Sequence, residues 1–296
     1  MGTGIRLARP RAGDERIQSF PRLHRRSTHS LHPRTRQGTE TDPAAYGADP
    51  ADAFDVVVPC LPGFGFSTPL ELPGINFWRT ADLWRTLMRD VLGYGRFGAQ
   101  GGDFGSSISA QLGHRYWEDT IGVHLTVMLP LGFWDATDGP KPGDYAAEEA
   151  GWARRTNDFL ATEMAYAHLQ ASKPQTLAYA MHDSPVGLAA WLWEKRRTWS
   201  DCDGDLERRF TKDELCTTAS LYWLTECFGS SARYYYEAAH NLWRPDNSDS
   251  PVVRSPTAVA VFLFAPAEEP TMVVEDIRAF FRNLRREIAS PIRHIL

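Results

Sequence analysis

The sequence predicts an α/β fold: a parallel sheet flanked by helices and interrupted by a helical insertion. Three observations carry that expectation. Strand-like and helix-like stretches alternate from residue 54 to residue 129. A Gly-x-Asp-x-Gly turn, Gly101 to Gly105, sits between a short strand pattern and a helix pattern. Helical patterns rich in Trp and Tyr then fill 136–250, before a β-rich apolar run returns at Thr257.

Each element has its own reason. Phe54 to Val58 is a short β-branched run, read as a buried strand. It leads into Pro59 to Ser67, a Gly/Pro loop bearing Phe64 and Phe66. A loop leaving the C-terminal end of a parallel strand is where α/β folds line their sites. Trp78 to Leu92 has helical apolar spacing at Leu83, Leu87 and Val91. Arg96 to Gln100 enters the Asp103 turn, Ser107 to Trp117 reads as the following helix, and Ile121 to Leu129 as the next strand. Gly139 to Gly143 reads as a linker. Ala146–Ala171, Leu177–Trp193 and Lys212–Phe228 read as helices of the insertion. Thr257 to Phe264 returns to strand, and Val273 to Leu284 is a terminal amphipathic helix. The organisation expected is an Arg-rich leader at 1–41, core at 42–135, a lid at 136–250 and the rest of the core at 251–296.

Composition narrows the function. The chain has 296 residues, 43% hydrophobic, enough for a substantial core. Its net charge of −5 does not suggest nucleic acid or an anionic membrane as partner. Cys60, Cys202, Cys216 and Cys227 show no CxxC pairing, so a reduced, cytoplasmic protein without a metal framework is expected. No apolar run approaches membrane-spanning length. The leader carries many arginines and no apolar period. It is open to three readings: a transit peptide, a solvated basic tail, or a misassigned or out-of-frame start, of which the third is preferred.

The chemistry centres on Asp103. A sharp turn between strand and helix needs flanks nearly free of side chains, which Gly101 and Gly105 supply. A carboxylate presented there can attack an electrophilic sp3 carbon and leave an ester on the protein, which suits epoxides and alkyl halides. The plain alternative is a glycine-rich loop capped by an aspartate.

Four stretches decide between these. They are Val57 to Ser67; the Asp103 turn itself; Ser172 to Thr176 continued by Asp183 to Ala190; and Leu221-Tyr222-Trp223 running to Ser230–Glu237. Together they resemble epoxide hydrolases of the microsomal and juvenile-hormone type, within the α/β-hydrolase fold, over roughly 42–262 and 264–284. The resemblance implies Asp103 as nucleophile and the backbone amide of Phe104 as an oxyanion donor, where the family commonly has Trp. It implies Tyr166 and Tyr235 as lid tyrosines that hydrogen-bond the epoxide oxygen, with Tyr235 open to a slip of one position between Tyr234 and Tyr236. Small hydrophobic epoxides and water are the implied reactants. No cofactor or metal is implied, and a homo-oligomer is possible.

The sequence also departs from the family. A Gly-Gly-His segment, carrying the histidine that activates water, occurs nowhere in the chain. The strand at Pro256–Phe262 resumes at Leu263–Pro270 with what resembles sequence beyond that histidine, so acid and base are expected to be missing. Residues 1–41 hold nothing like the family's His-Gly-x-Pro loop, and the sheet is expected to be incomplete with exposed edges. Asp135 is a weak alternative acid, Glu268 and Glu269 are not assigned the role, and each histidine reads as structural or solvated. The reading is an epoxide hydrolase homologue impaired in its hydrolytic half-reaction. Its rivals are an inactive remnant binding hydrophobic ligands and a haloalkane-dehalogenase-like hydrolase.

Overall fold

The computed structural model describes residues 55–126, 131, 146, 150–248, 251–260, 270–287 and 294–295. The leader, Asp135, Glu268, Glu269 and the junction at 263–269 lie outside the described residues. Five parallel strands lie in the order β1-β5-β2-β3-β4. They are β1 (Asp55–Val56), β2 (Phe97–Gly101), β3 (Thr120–Leu125), β4 (Thr257–Val259) and β5 (His294–Ile295). Four of them fall where the apolar runs place them, β2 shifted by one residue from 96–100 and β1 confined to Asp55–Val56. The fifth is new: His294 pairs with Asp55, and Ile295 with both Val56 and Gly98, so the last strand of the chain lies between β1 and β2.

Helices cover both faces of the sheet. On one side is α2 (Phe104–Arg115), so close that a Cβ on Gly113 would stand 2.7 Å from Val123. On the other is α9 (Pro270–Glu287); a Cβ on Gly98 would meet Phe281 at 2.5 Å, and one on Gly122 would meet Leu284 at 2.5 Å. Phe281 and Leu112 are fully buried, one from each covering helix. His124, fully buried on the α9 side, joins β3 to that helix through Nε2 and the Asp276 carboxylate at 2.7 Å.

Helix α1 (Phe77–Thr86) is capped by Asn76, whose side chain accepts from the Arg79 amide, and continues as a π-helical turn over Leu87–Val91. Its buried face is Phe77, Thr80, Ala81, Trp84, Leu87 and Met88. The expected stripe of Leu83, Leu87 and Val91 is therefore corrected: Leu83 is half-buried and Val91 is exposed. The wider π turn rotates the later residues off the face that α1 establishes.

Between β3 and β4 the described chain is helical: α3 (Ala150–Glu163), α4 (Ala165–Ser172), α5 (Pro174–Asp183), α6 (Pro185–Thr198), α7 (Lys212–Leu224) and α8 (Phe228–His240). The long helix expected over Ala146–Ala171 is two, broken at Met164, and Leu177–Trp193 is broken at Ser184. The second break is local chemistry. Pro185 starts α6, and the Ser184 hydroxyl accepts from the Gly187 amide. Thr211 and Glu214 form a reciprocal capping box at the start of α7. The four cysteines are free. Among the described residues no helix is long and apolar enough to cross a membrane.

Candidate active site

The nucleophile turn is built by main chain pressing on main chain. A Cβ on Gly101 would stand 2.2 Å from both the carbonyl carbon and the oxygen of Gly105. One on Gly102 would meet Thr126 Oγ1 at 2.4 Å, whereas one on Gly105 would meet nothing within 4 Å. The demand for a bare Cα thus falls on Gly101 and Gly102, and Gly105 contributes its close backbone. Asp103 is held at φ +51°, ψ −123°, a conformation costing about 1–3 kcal/mol for a residue with a side chain. Hydrogen bonds from the Gly105 amide to the Gly102 carbonyl and from the Ser106 amide to the Asp103 carbonyl close the turn, both at 2.9 Å.

Asp103 keeps open surface of its own, yet the protein around it desolvates the carboxylate and raises its pKa. A carboxylate with both properties is open to approach from solvent yet surrounded by protein. The Phe104 amide donates to it and opposes the shift. Because the folded-state pKa is raised, ionised Asp103 costs the fold stability as pH rises through that pKa; at low pH the cost vanishes. Asp103→Asn is therefore expected to be modestly stabilising at pH 8 and nearly neutral at pH 4, read by urea unfolding. Destabilisation at both pH values would contradict this desolvation.

Aromatic rings connect the turn to the helices above it. Phe104 meets Tyr235 edge-on at 4.8 Å, Tyr235 meets Tyr166 at 5.9 Å, and Tyr166 meets Trp199 at 5.4 Å. Phe64, delivered by the loop after β1, packs edge-on to Tyr234 at 5.7 Å. That loop is tied to α8, since the Ser230 hydroxyl donates to the Gly63 carbonyl at 2.5 Å.

The three consecutive tyrosines separate cleanly. Tyr234 is fully buried, and its hydroxyl lies 2.6 Å from Thr80 Oγ1, which donates to the Asn76 carbonyl. Tyr234 is thus the donor of that pair and is committed to the core. Tyr236 is exposed and stacks on His240 at 3.9 Å. Tyr235 alone of the three faces Tyr166. Burial raises the Tyr166 phenol well above its usual range, the Asp103 charge adds to this, and a hydrogen bond from Tyr235 opposes it. The Tyr235 phenol is raised by burial, then by Tyr166 and Asp103. Both hydroxyls therefore keep their protons at neutral pH, as donors must.

Some residues near this centre were not singled out by sequence reasoning. The Tyr222 phenol is raised by burial, with smaller contributions from Cys227 and Asp103, and its ring packs against the cluster of Ala178, Met181, Leu188, Phe228 and Ala232. The indole nitrogen of Trp199 is buried and has no hydrogen-bond partner among the described residues. Lys195 lies over the rings of Tyr166 and Trp199. Tyr222 stood inside a quoted motif, but nothing in its spacing distinguished it from a core aromatic. The histidines answer differently. His114 Nδ1 donates to the Val252 carbonyl at 2.6 Å while its Nε2 accepts from the Asp246 amide at 2.9 Å. His182 accepts from the Gly229 amide, and His240 contacts the Tyr236 carbonyl. With His124 on Asp276, each of these four is engaged by a partner other than Asp103.

Comparison with known proteins agrees with this geometry. Residues 43–210 match the model of the alpha/beta hydrolase fold family, and the chain belongs to that family. Its relatives within the family include epoxide hydrolases. It is 36% identical over 269 residues to a Stigmatella aurantiaca (strain DW4/3-1) protein assigned as an epoxide hydrolase, covering 83% of this chain and 60% of that protein. It is 31% identical over 291 residues to epoxide hydrolase 1 of Sus scrofa, covering 83% of this chain and 64% of the relative. The crystal structure of juvenile hormone epoxide hydrolase from the silkworm Bombyx mori superposes with a TM-score of 0.65 at 25% identity, over 79% of this chain and 65% of that one. The chain thus spans less than two thirds of the length of these relatives.

Proposed function

We propose that this chain carries out the alkylation half of epoxide hydrolysis. An Asp103 carboxylate oxygen attacks an epoxide carbon, the carbon–oxygen bond opens, and a hydroxyalkyl ester forms on Asp103. Tyr166 and Tyr235 donate to the epoxide oxygen, and one phenol proton ends on the new hydroxyl. Water attack at the ester carbonyl, with the Phe104 amide facing the oxyanion, would release the vicinal diol. His114, His124, His182 and His240 are engaged by other partners, so this reading assigns none of them as base for that step. Hydrolysis is expected to be slower by at least the roughly 10²–10⁴ that general base catalysis supplies. The observation that carries the reading is Tyr235 packed between Phe104, beside the nucleophile, and Tyr166, with both phenols protonated and both sensing the Asp103 charge. The aromatic walls suit a small hydrophobic epoxide, and a cytoplasmic setting fits the free thiols.

One observation favours a second reading. The Trp199 indole N–H, unpartnered among the described residues, is the kind of donor a leaving halide needs. It is a single donor, whereas the two phenols match an oxygen that becomes an alkoxide. Parallel incubation with styrene oxide and with a primary bromoalkane decides between them. Protein mass, diol and bromide are followed together. The proposal predicts a mass gain of one epoxide and little diol, with no bromide release. Bromide release without epoxide chemistry would establish the dehalogenase reading, and neither reaction would leave a ligand-binding remnant.

A further inference from the structure

We infer that Lys195, clamped by Glu163, is a positioning residue that sets the orientation and donor strength of Tyr166. The inference rests on Tyr166 being a donor in the reaction proposed above. Lys195 is on α6, Tyr166 on α4, and Glu163 is the last residue of α3. The Lys195 ammonium stands 3.1 Å from Glu163 Oε2, 5.6 Å from the centre of the Tyr166 ring and 5.8 Å from that of Trp199. It also contacts Glu194 at 3.0 Å. The Lys195 and Glu163 side chains are only 19% and 17% exposed, which separates this pair from the solvated ion pairs elsewhere on the surface.

A partly buried ammonium costs free energy unless it is paired, and here the pairing comes from a residue three positions before Tyr166. The salt bridge therefore fixes the break between α3 and α4, and with it the direction in which α4 presents its tyrosine. The ring is held on a second side by the edge-on indole of Trp199. A cation over a phenol ring draws on its π density and eases loss of the phenol proton. That is what a donor to a developing alkoxide requires. Burial pulls the Lys195 ammonium down, but the hydrogen bonds it donates to Glu194 and Glu163 outweigh that, so Lys195 stays charged. Removing the cation leaves two carboxylates beside the ring, which makes the phenol a weaker acid.

The test is a double-mutant cycle on the full chain. Lys195→Met and Lys195→Arg are made in the parent and in Tyr166→Phe. Two quantities are read: the single-turnover rate of adduct formation with styrene oxide, and the NMR ring shifts of Tyr166, identified by their loss in Tyr166→Phe. Lys195→Met is expected to slow alkylation about 3- to 30-fold, the span of cation–π contacts from exposed to desolvated, and to move those ring shifts. Lys195→Arg should restore most of the rate. In the Tyr166→Phe background, Lys195→Met should change the rate by less than about twofold. Equal slowing in both backgrounds, or unmoved Tyr166 ring shifts in a folded Lys195→Met protein, would overturn the inference. If the parent forms no adduct, the proposed function fails, and the ring shifts alone judge Lys195. If Lys195→Met does not fold, Glu163→Gln replaces it. The slowing from the loosened clamp must likewise vanish in Tyr166→Phe, and its persistence there would overturn the inference.

Discussion

Tyr235→Phe is expected to slow alkylation of Asp103 by about 10²–10³-fold, the loss typical of removing one preorganised donor to a developing oxyanion. Phenylalanine keeps the ring contacts with Phe104 at 4.8 Å and Tyr166 at 5.9 Å, so the fold should be unchanged and only the hydroxyl lost. The two neighbours serve as controls of opposite kinds. Tyr234→Phe strips the hydroxyl that donates to buried Thr80, and should cost about 1–2 kcal/mol of stability without a comparable loss of rate. Tyr236→Phe should change neither, because Tyr236 is exposed and stacked on His240. The measurement is the single-turnover rate of adduct formation beside urea unfolding for the same three proteins. A large rate loss in Tyr234→Phe or Tyr236→Phe, with Tyr235→Phe unaffected, would move the donor to another position.

The second large effect is on the fold. Gly101→Ala is expected to destabilise the protein by about 3 kcal/mol or more, because its Cβ would stand 2.2 Å from main-chain atoms of Gly105. No flexible side chain is there to yield, so β2 and the start of α2 must part, and the backbone that aims Asp103 goes with them. Gly105→Ala is the matched comparison. Its Cβ meets nothing within 4 Å and it lies within α2, where alanine is favoured over glycine by about 0.5–1 kcal/mol. Denaturant midpoints for the two variants should therefore shift in opposite directions. A parent-like midpoint for Gly101→Ala would show that the turn is less tightly closed than this packing requires.

Much of this architecture was legible because its signals are local. The β-branched run before Pro59 and the glycines of the Asp103 turn act through their own backbone preferences, whereas the equally local Pro185 that opens α6 was read through, inside one helix over Leu177–Trp193. What was not legible is non-local or blurred. The strand at His294–Ile295 is defined by pairing with residues about 200 and 240 positions away, which no window of sequence contains. Helix α8 was read as a motif and not as a helix, because the run Tyr234–Tyr236 puts aromatics on three successive faces and hides the helical period. Only the structure shows those faces to be core, site and surface. In the same way Asp103 was named from its glycine-flanked turn and Phe104, Tyr166 and Tyr235 by resemblance, and the structure joins the rings of Phe104, Tyr235 and Tyr166 directly after Asp103. Lys195 was invisible as a candidate because its importance lies in the rings beneath it, which come from two different helices.

The central claim is that Asp103 attacks the epoxide carbon. Its most direct test is peptide-level mass spectrometry of the protein after brief exposure to styrene oxide. The expected result is one added epoxide, localised to Asp103 and absent from Asp103→Ala. Modification confined to the cysteines or histidines, or diol formation that persists in Asp103→Ala, would contradict it.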